Sequence, residues 1–587
     1  MNPELLLAHF DRISDAPDTV PRLRGFILEL AVRGKLVDQN PNDEPSSRLM
    51  KKIETARDRL GLAEGITNQG TGGFANGDVP FEIPPNWIWV QLGDLCSKTG
   101  SGSTPRGGKS VYLNKGVPFL RSQNVHDDSL RLDDVAYISH ETHEKMSGTA
   151  VRPGDLLLNI TGGSIGRCCL VASGLGQANV SQHVAIIRVA LDGIQRFLHQ
   201  LVLSPYFQSF VLSEQTGAGR GGLPKNRMDR IPVALPPLAE QHRIVAKVDE
   251  LMALCDRLEG AQAEREVRRD RLAAASLHRL NQPVGAGDTQ AFREHANFHL
   301  QHLPRLTTRP EHVKQLRQTI LNLAVRGQLV PQDPKDAPAT DLLKRIQGEK
   351  AKLLREGKIN REKPPVPPSP DEVGFALRPG WEPARISQIL VELQTGPFGS
   401  SLHESDYKKG GVPVINPASM KDGRLVPVDS MAIGPDTLER LATFKLRAGD
   451  IVMARRGEMG RCAVVTEREE GWLCGTGSLI LRLPESVSPI FFATLIGSPF
   501  VREYLGGSAV GATMQNLNQS ILLNLVIGLP PLAEQHRIVA KVDELMALCD
   551  RLGAQLATAQ SESRRLLESV LYEALSTVRE GRNQARS

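Results

Sequence analysis

The sequence predicts an α/β (α+β) chain written twice: two mixed α/β domains, separated by two long helices that pair as an antiparallel coiled coil, with an internal pseudo-twofold repeat. Three observations carry this. The string LPPLAEQHRIVAKVDELMALCDRL at Leu235–Leu258 recurs letter for letter at Leu529–Leu552, an offset of 294 residues. Within each copy the apolar residues step by 4, 3, 4, 3, which is a heptad seam on a helix. The stretches ahead of each copy hold short apolar runs bounded by Gly, Asp and Pro, which read as strands. A period this long is a duplicated half-protein, not a solenoid of 20–50-residue repeats.

In chain order, residues 1–80 form an N-terminal helical shared region. LRGFILELAVRGKLV from Leu23 is answered by LRQTILNLAVRGQLV from Leu316, and a Gly/Asn-rich loop follows at Gly65–Asp78. Residues 81–238 are the first globular interior and 375–532 the second. Trp87 answers Trp381, Gly116-Val-Pro118 answers Gly411-Val-Pro413, and Gly154-Asp155 answers Gly449-Asp450. Gly166-Arg167 answers Gly460-Arg461, and Ser204-Pro205 answers Ser498-Pro499. Inside them DLLLNITG, VAIIRVAL, DIVMARRG and LILRL have strand character, and helical pairs break at each Ser-Pro.

Residues 239–374 are the central shared region: a long helix, a linker and a helical segment, ending at the Pro-rich stretch Lys363–Glu372. Residues 533–587 are the C-terminal long helix. The first seam is Ile244, Val248, Leu251, Cys255 and Leu258; the second is Ile538, Val542, Leu545, Cys549 and Leu552. Each helix is announced by Pro-Pro and then Ala-Glu-Gln, whose acid suits a helix N-terminus. The first is predicted over Ala239–Leu280, where eight basic and eight acidic residues surround the seam.

Composition narrows the class. Over 587 residues, 40% hydrophobic and 23% charged is ordinary for a globular chain, and a net charge of +5 neither demands nor excludes nucleic acid. No apolar run approaches the ~18–20 residues that span a bilayer, and the N-terminus lacks a secretory pattern. Seven scattered cysteines without C-x-x-C argue against a disulfide framework or zinc finger. The expectation is a cytoplasmic protein with reduced thiols.

Catalytic motifs fail on inspection. GSGSTPRGGKS at Gly100–Ser110 ends like a phosphate loop, but Ser103 stands where its first glycine is required, and no helix start follows. GAGRGG at Gly217–Gly222 fits a dinucleotide pattern only literally, because Leu-Pro-Lys-Asn follows it. His295, His299 and His302 lack a companion carboxylate or cysteine for a metal shell, and the His140-Glu-Thr-His143 spacing is wrong for two ligands on one helical face. Cys168-Cys169 reads as a buried structural pair. No Asn/Asp-Pro-Pro-aromatic string or serine elbow is present. The residues thus offer no catalytic group and no metal site.

Two unlike interiors, each closed by P-P-L-x-E-Q-x-x-I (Pro236–Ile244 and Pro530–Ile538) and a heptad helix, resemble the specificity subunit of type I restriction–modification enzymes. The resemblance covers nearly the whole chain. GSTPRGGKSVYLNKGVPFLRSQNV and TGPFGSSLHESDYKKGGVPVINP are similar to two varieties of that family's target recognition domains. It implies a non-catalytic DNA-recognition subunit, each domain binding one half of a split double-stranded DNA target. It also implies partners: two adenine-methylating modification subunits, and restriction/motor subunits in the full complex. S-adenosylmethionine, ATP and Mg²⁺ would serve those partners, with no cofactor of the chain's own.

Arg and Lys suit guanine, and Asn and Gln suit adenine, so polar loop residues are the candidates for DNA contact. In the first interior they are Arg106, Lys109, Arg121, Gln123, Asn124, Arg220, Lys225, Asn226 and Arg227. In the second they are Ser400, His403, Asn416, Lys421, Arg455, Arg456, Gln515, Asn516, Asn518 and Gln519. The interiors hold 15 basic against 12 acidic residues and 15 against 15, so phosphate binding requires those charges to segregate. Two other readings stay open: the recognition part of a self-sufficient DNA methyltransferase or endonuclease, and a coiled-coil scaffold that does not bind DNA.

Overall fold

The computed structural model describes residues 16, 18–64, 79–215, 221–282, 289–359, 366–398, 401–421, 423–457, 459–507 and 517–576. It divides into two compact units, Met1–Glu264 with Gln560–Ser587, and Arg265–Ala559.

The first unit opens with helices α1 (Thr19–Val32) and α2 (Ser46–Glu64). Its interior then runs through β1 (Ile88–Gln91), β2 (Cys96–Ser101), β3 (Val117–Leu120), β4 (Ala136–Ile138), β5 (Leu156–Asn159), β6 (Cys168–Leu170), β7 (Asn179–Val180) and β8 (Val184–Val189). Helices α3 (Gln195–Leu203) and α4 (Pro205–Ser213) meet at Ser204, whose hydroxyl accepts from Phe207 N, with Pro205 opening the second helix. Strand β9 (Pro232–Leu235) returns to pair antiparallel with β1, Ile88 opposite Leu235, and long helix α5 (Leu238–Asn281) follows. Because β1 and β9 lie side by side, the interior leaves and rejoins the shared scaffold at one place.

Beyond the β1–β9 pair, the described residues of the interior form two sheets, ordered β2-β8-β5-β6 and β4-β3-β7. Alternate residues of a strand face opposite sides. Leu156, Leu158, Ala185 and Ile187 therefore face Phe197, Leu201 and Phe207, while Leu157 and Ile186 face Leu120, Val171 and Val180. Burial on both faces explains the unbroken apolar runs in the sequence.

Helix α1 is apolar on two sides. Val20, Ile27, Leu28 and Ala31 pack with Ile244, Val245, Val248 and Cys255 of α5, whereas Phe26 and Leu30 pack with Leu567, Val570 and Leu571 of the last helix. Arg24 reaches Asp256 (2.6 Å) and Glu259 (2.9 Å), while Asp43, beyond the end of α1, pairs with Arg243 near the start of α5 (2.6 Å). That order is antiparallel. Arg22 to Glu568 (2.8 Å) and Lys35 Nζ to Leu575 O (2.6 Å) set the last helix parallel to α1. The two long-helix segments of this unit therefore run antiparallel to each other, one on each side of α1.

The second unit begins within α5 and continues with α6 (Thr289–Gln301), α7 (Pro310–Val325) and α8 (Ala339–Arg355). Strands β10 (Glu382–Arg385) and β11 (Glu392–Thr395) enter its interior, followed by β12 (Tyr407–Lys408), β13 (Val412–Ile415), β14 (Met420–Lys421), β15 (Arg424–Leu425) and β16 (Ala432–Ile433). Strands β17 (Ile451–Ala454), β18 (Cys462–Val464), β19 (Leu473–Cys474) and β20 (Ser478–Arg482) lead to helices α9 (Pro489–Ile496) and α10 (Pro499–Gly507). Strand β21 (Val526–Leu529) closes on β10, and α11 (Leu532–Ser576) follows. The main sheet, β11-β20-β17-β18, repeats the first interior's order. Val313, Ile320 and Ala324 of α7 pack with Ile538, Val542 and Cys549 of α11. Asn281 Nδ2 donates to Thr319 Oγ1 (3.0 Å), and His312 lies 2.9 Å from Asp270, so the end of α5 holds a second side of α7.

The seam residues thus have a different neighbour from the one the heptad suggests. Ile244, Val248 and Cys255 are buried in one cluster with α1, with Leu251 and Leu258 packed against it; Ile538, Val542 and Cys549 are buried with α7, with Leu545 and Leu552 packed against them. A 4-3 spacing specifies an apolar stripe but not which helix fills it, and the shorter helices bring matching apolar faces.

The repeated motifs have a structural cause. Gly34 and Gly327 end α1 and α7 at φ 65° and 66°, a left-handed conformation that favours glycine. A Cβ on Gly34 would stand 2.5 Å from Pro84 Cγ and 3.0 Å from the Trp87 ring; one on Gly327 would be 2.8 Å from the Trp381 ring. Trp87 Nε1 donates to Glu240 Oε2 (2.9 Å), and Gln39 donates to Oε1 of the same carboxylate. Gln241 donates to Pro236 O (2.9 Å). The second copy repeats all of it: Trp381 to Glu534 (3.0 Å), Gln332 to Glu534 (2.6 Å), Gln535 to Pro530 O (3.0 Å) and Arg537 to Asp336 (2.6 Å).

Glu240 and Glu534 are each 1% exposed. Burial pushes both carboxyls above the ordinary value, partly offset by the Trp and Gln hydrogen bonds. Replacing Trp87 or Trp381 by Phe removes one donor and leaves a buried carboxylate oxygen short of a partner. The expected loss is about 1–3 kcal/mol for each, read by denaturant unfolding of the full chain, with Phe retaining most of the apolar contact.

Candidate nucleic-acid interface

In the sheet β2-β8-β5-β6, β2 and β5 end where β8 and β6 begin, because all three pairings are antiparallel. β3 lies parallel to β7, which leads directly into β8 through Ser181–His183. Five loops therefore gather at one end of the domain. Backbone bonds stitch them together: Gly102 N to Val184 O (2.9 Å), Ser181 N to Leu120 O (2.9 Å), Ile160 N to His183 O (3.0 Å) and Leu223 N to Ile160 O (2.9 Å). Asn159 Nδ2 adds a bond to Ser122 O (2.8 Å). Gly102 is tight against this seam, since a Cβ there would lie 2.0 Å from Val180 O.

The second domain uses the same stitching. Gly396 N meets Ser478 O (3.0 Å), Gly475 N meets Ile415 O (2.9 Å), Arg455 N meets Gly477 O (2.9 Å) and Leu517 N meets Arg455 O (3.1 Å). The backbone frame is shared, but its side chains differ. Ile160-Thr161 in the first domain stands where Arg455-Arg456 stands in the second.

A buried ion pair braces each sheet at the end away from these loops. Asp155, 1% exposed, accepts Arg188 Nε and Nη2, both at 2.7 Å, and Arg152 N at 2.7 Å. In the second domain Asp450 accepts Arg447 N (2.9 Å) and Arg482 Nε (3.3 Å). Burial raises the Asp450 carboxyl above its usual value, and the Arg447 and Arg482 contacts pull it back. This accounts for the repeated Gly-Asp.

The candidates fall into groups. Arg106 and Gln123 are exposed on the gathered loops, and Arg121 is half-buried, donating to Asp134 O (3.2 Å). Asn124 is corrected from base reader to structural residue. It is 2% exposed, its Oδ1 accepts Arg121 N (2.9 Å) and its Nδ2 donates to Arg131 O (2.9 Å), so its amide is engaged in shaping the turn. Lys225, Asn226 and Arg227 are exposed on a one-turn helix, with Lys225 paired to Asp229 and Arg227 to Glu214 (2.9 Å). Such exposed pairs are weak and exchangeable for phosphate.

In the second domain Arg455 is half-buried and Arg456 exposed on the loop after β17. Gln519 Nε2 reaches Thr395 Oγ1 (2.8 Å), and the Asn518 side chain accepts Ser520 N (3.1 Å). Asn416, half-buried at the end of β13, points its amide to Met431 Sδ (3.6 Å). His403 is exposed ahead of a short 3-10 turn, and Lys421 lies on the β14–β15 hairpin. Arg220, Ser400, Gln515, Asn516 and the Lys109 side chain lie outside the described residues.

Sequence reasoning missed Thr161 and His183, whose Oγ1 and Nδ1 lie 2.6 Å apart on the gathered loops. Aligning the halves through their Gly-Asp pairs, Gly154-Asp155 on Gly449-Asp450, would have placed Thr161 opposite Arg456. Elsewhere, burial pushes the Cys169 thiol up to about 12 and Cys168 well above its ordinary value, as suits structural thiols. His299 is buried, with Nδ1 3.0 Å from Ser276 Oγ. Among the described residues no three His, Cys, Asp or Glu side chains gather as a metal shell.

Replacing Asp155 by Ala would strand Arg188 among apolar strands. The expected cost is about 3–5 kcal/mol, visible as a lower Tm of the full chain, with Lys145→Ala, an exposed pair, as the near-neutral control.

Comparison with known proteins agrees along the chain. The profile of the family described as "Type I restriction modification DNA specificity domain" matches residues 84–269 and 379–558. The Type I restriction enzyme EcoAI specificity subunit of Escherichia coli is 30% identical over 94% of this chain and 93% of its own length. The EcoEI specificity subunit of Escherichia coli is 29% identical over 95% and 94%. A crystal structure of the HsdS subunit from Thermoanaerobacter tengcongensis aligns at 20% identity, TM-score 0.40, covering 84% of this chain and 98% of that one. With both interiors matched and the EcoAI relative aligned nearly end to end, the chain belongs to the type I restriction–modification DNA specificity family.

Proposed function

We propose that each interior reads one half of a bipartite double-stranded DNA target through its five gathered loops, and that the chain itself neither methylates nor cuts DNA. Adenine methylation belongs to two modification subunits and ATP-dependent restriction to motor subunits; S-adenosylmethionine, ATP and Mg²⁺ serve those partners. The place of action is the cytoplasm; no helix among the described residues is long and apolar enough to cross a membrane. The observation that carries the reading is a common backbone frame presenting different side chains in the two domains. A scaffold that binds nothing has no use for such variation, and a self-sufficient enzyme would need catalytic groups that the sequence does not supply.

The direct test exchanges residues 81–238 for the interior of another specificity subunit and sequences the methylated motif in cells that also carry the modification subunit. One half-site should change and the other stay. Changes in both halves would refute independent reading. Arg456→Ala, which removes one exposed cation of the gathered loops, should lower the slope of log affinity against log salt by about 1, measured by DNA titration of the assembled complex.

The long helices are assigned the spacing. Inserting seven residues in both keeps each apolar stripe in register and should lengthen the unread spacer of the motif. An unchanged spacer with full activity would remove the helices as the ruler.

A further inference from the structure

Phe398 is 65% exposed, in the loop that leaves β11. An exposed apolar residue alone means little, but its placement is specific. Gly396, two residues earlier, abuts the backbone of Gly475, where a Cβ would stand 2.0 Å from the carbonyl oxygen. Gly477, two residues past that point, accepts the backbone N–H of Arg455. The ring therefore sits on the loop leaving β11, with β20 between it and the Arg455-Arg456 strand end, at the gathered end of the second domain.

Its base is anchored. Pro397 is buried and fixes φ, Phe398 O accepts Ser401 N (2.8 Å), and Leu402 is buried at 5% exposure. A side chain carried next to a buried proline loses less freedom on binding than one on a free loop. About a third of the residue still rests on the protein, which suits lateral contact with a base better than insertion between bases. The equivalent position in the first domain, at the 294-residue offset, is Thr104.

We propose that Phe398 is a specificity-determining residue of the second domain, presenting its ring to the C5-methyl group of a thymine in that domain's half-site. Thymine's methyl is the one apolar feature of the major-groove edge, and apolar side chains read it. The proposal rests on the reading of this domain as DNA-binding.

The test uses the full chain assembled with its modification subunits. Motif sequencing first defines the half-site of the second domain; each thymine on either strand is then replaced by uracil in a synthetic duplex. One replacement should weaken wild-type binding about fourfold, the worth of one buried methyl, while Phe398→Ala should be indifferent to it. Phe398→Ala should also relax the methylated motif at that position, and Phe398→Leu should partly restore it. A bipartite motif with no thymine in that half-site, or one read identically by Phe398→Ala of unchanged Tm, overturns this inference alone. Absence of any bipartite motif overturns the DNA reading and this inference with it.

Discussion

The structure depends on a buried carboxylate, used twice. Glu240 sits in the first turn of α5, where the helix dipole favours an anion, yet it is enclosed and needs partners. It takes them from two directions: Trp87 at the edge of the interior and Gln39 from the segment after α1. One side chain thus joins three pieces of chain that are distant in sequence. Glu534 does the same with Trp381 and Gln332. Removing either donor leaves charge without compensation, which explains why the motif around each glutamate is identical while the interiors have diverged.

That joint makes the interiors modular. Each begins and ends on a two-stranded antiparallel pair, Ile88–Gln91 with Pro232–Leu235 or Glu382–Arg385 with Val526–Leu529, next to the Trp–Glu contact. The chain departs and returns at one point, so the residues between can change without disturbing the helices. Within the interior, the Asp155–Arg188 and Asp450–Arg482 pairs and the backbone stitching hold the frame. Side chains on the loop tips carry no such duty and are left to vary.

The helices divide their labour similarly. In each unit a shorter helix, α1 or α7, lies between segments of the two long helices and satisfies both. Its sequence shows this in hindsight: Phe26, Ile27, Leu28, Leu30 and Ala31 are too many apolar residues for a one-sided amphipathic helix. The 4-3 stripes on α5 and α11 are real, but only the fold decides that a short helix fills them.

The sequence by itself determined the duplication, the first long helix to within a residue at each end, the start of the second, the short apolar strands and the Ser-Pro breaks between helices. Each is encoded locally, by periodicity or by a residue whose backbone preference is strong. The exact repeat also located the joints, though not their chemistry, since a glutamate does not announce the tryptophan 153 positions away that donates to it. Only the tertiary structure decided which loops converge, that Asn124 spends its amide on its own turn while Thr161 and His183 meet, and that Phe398 stands exposed on the loop leaving β11. Those facts depend on strand order and on close glycine contacts between distant segments, and neither is written in the residues at either end.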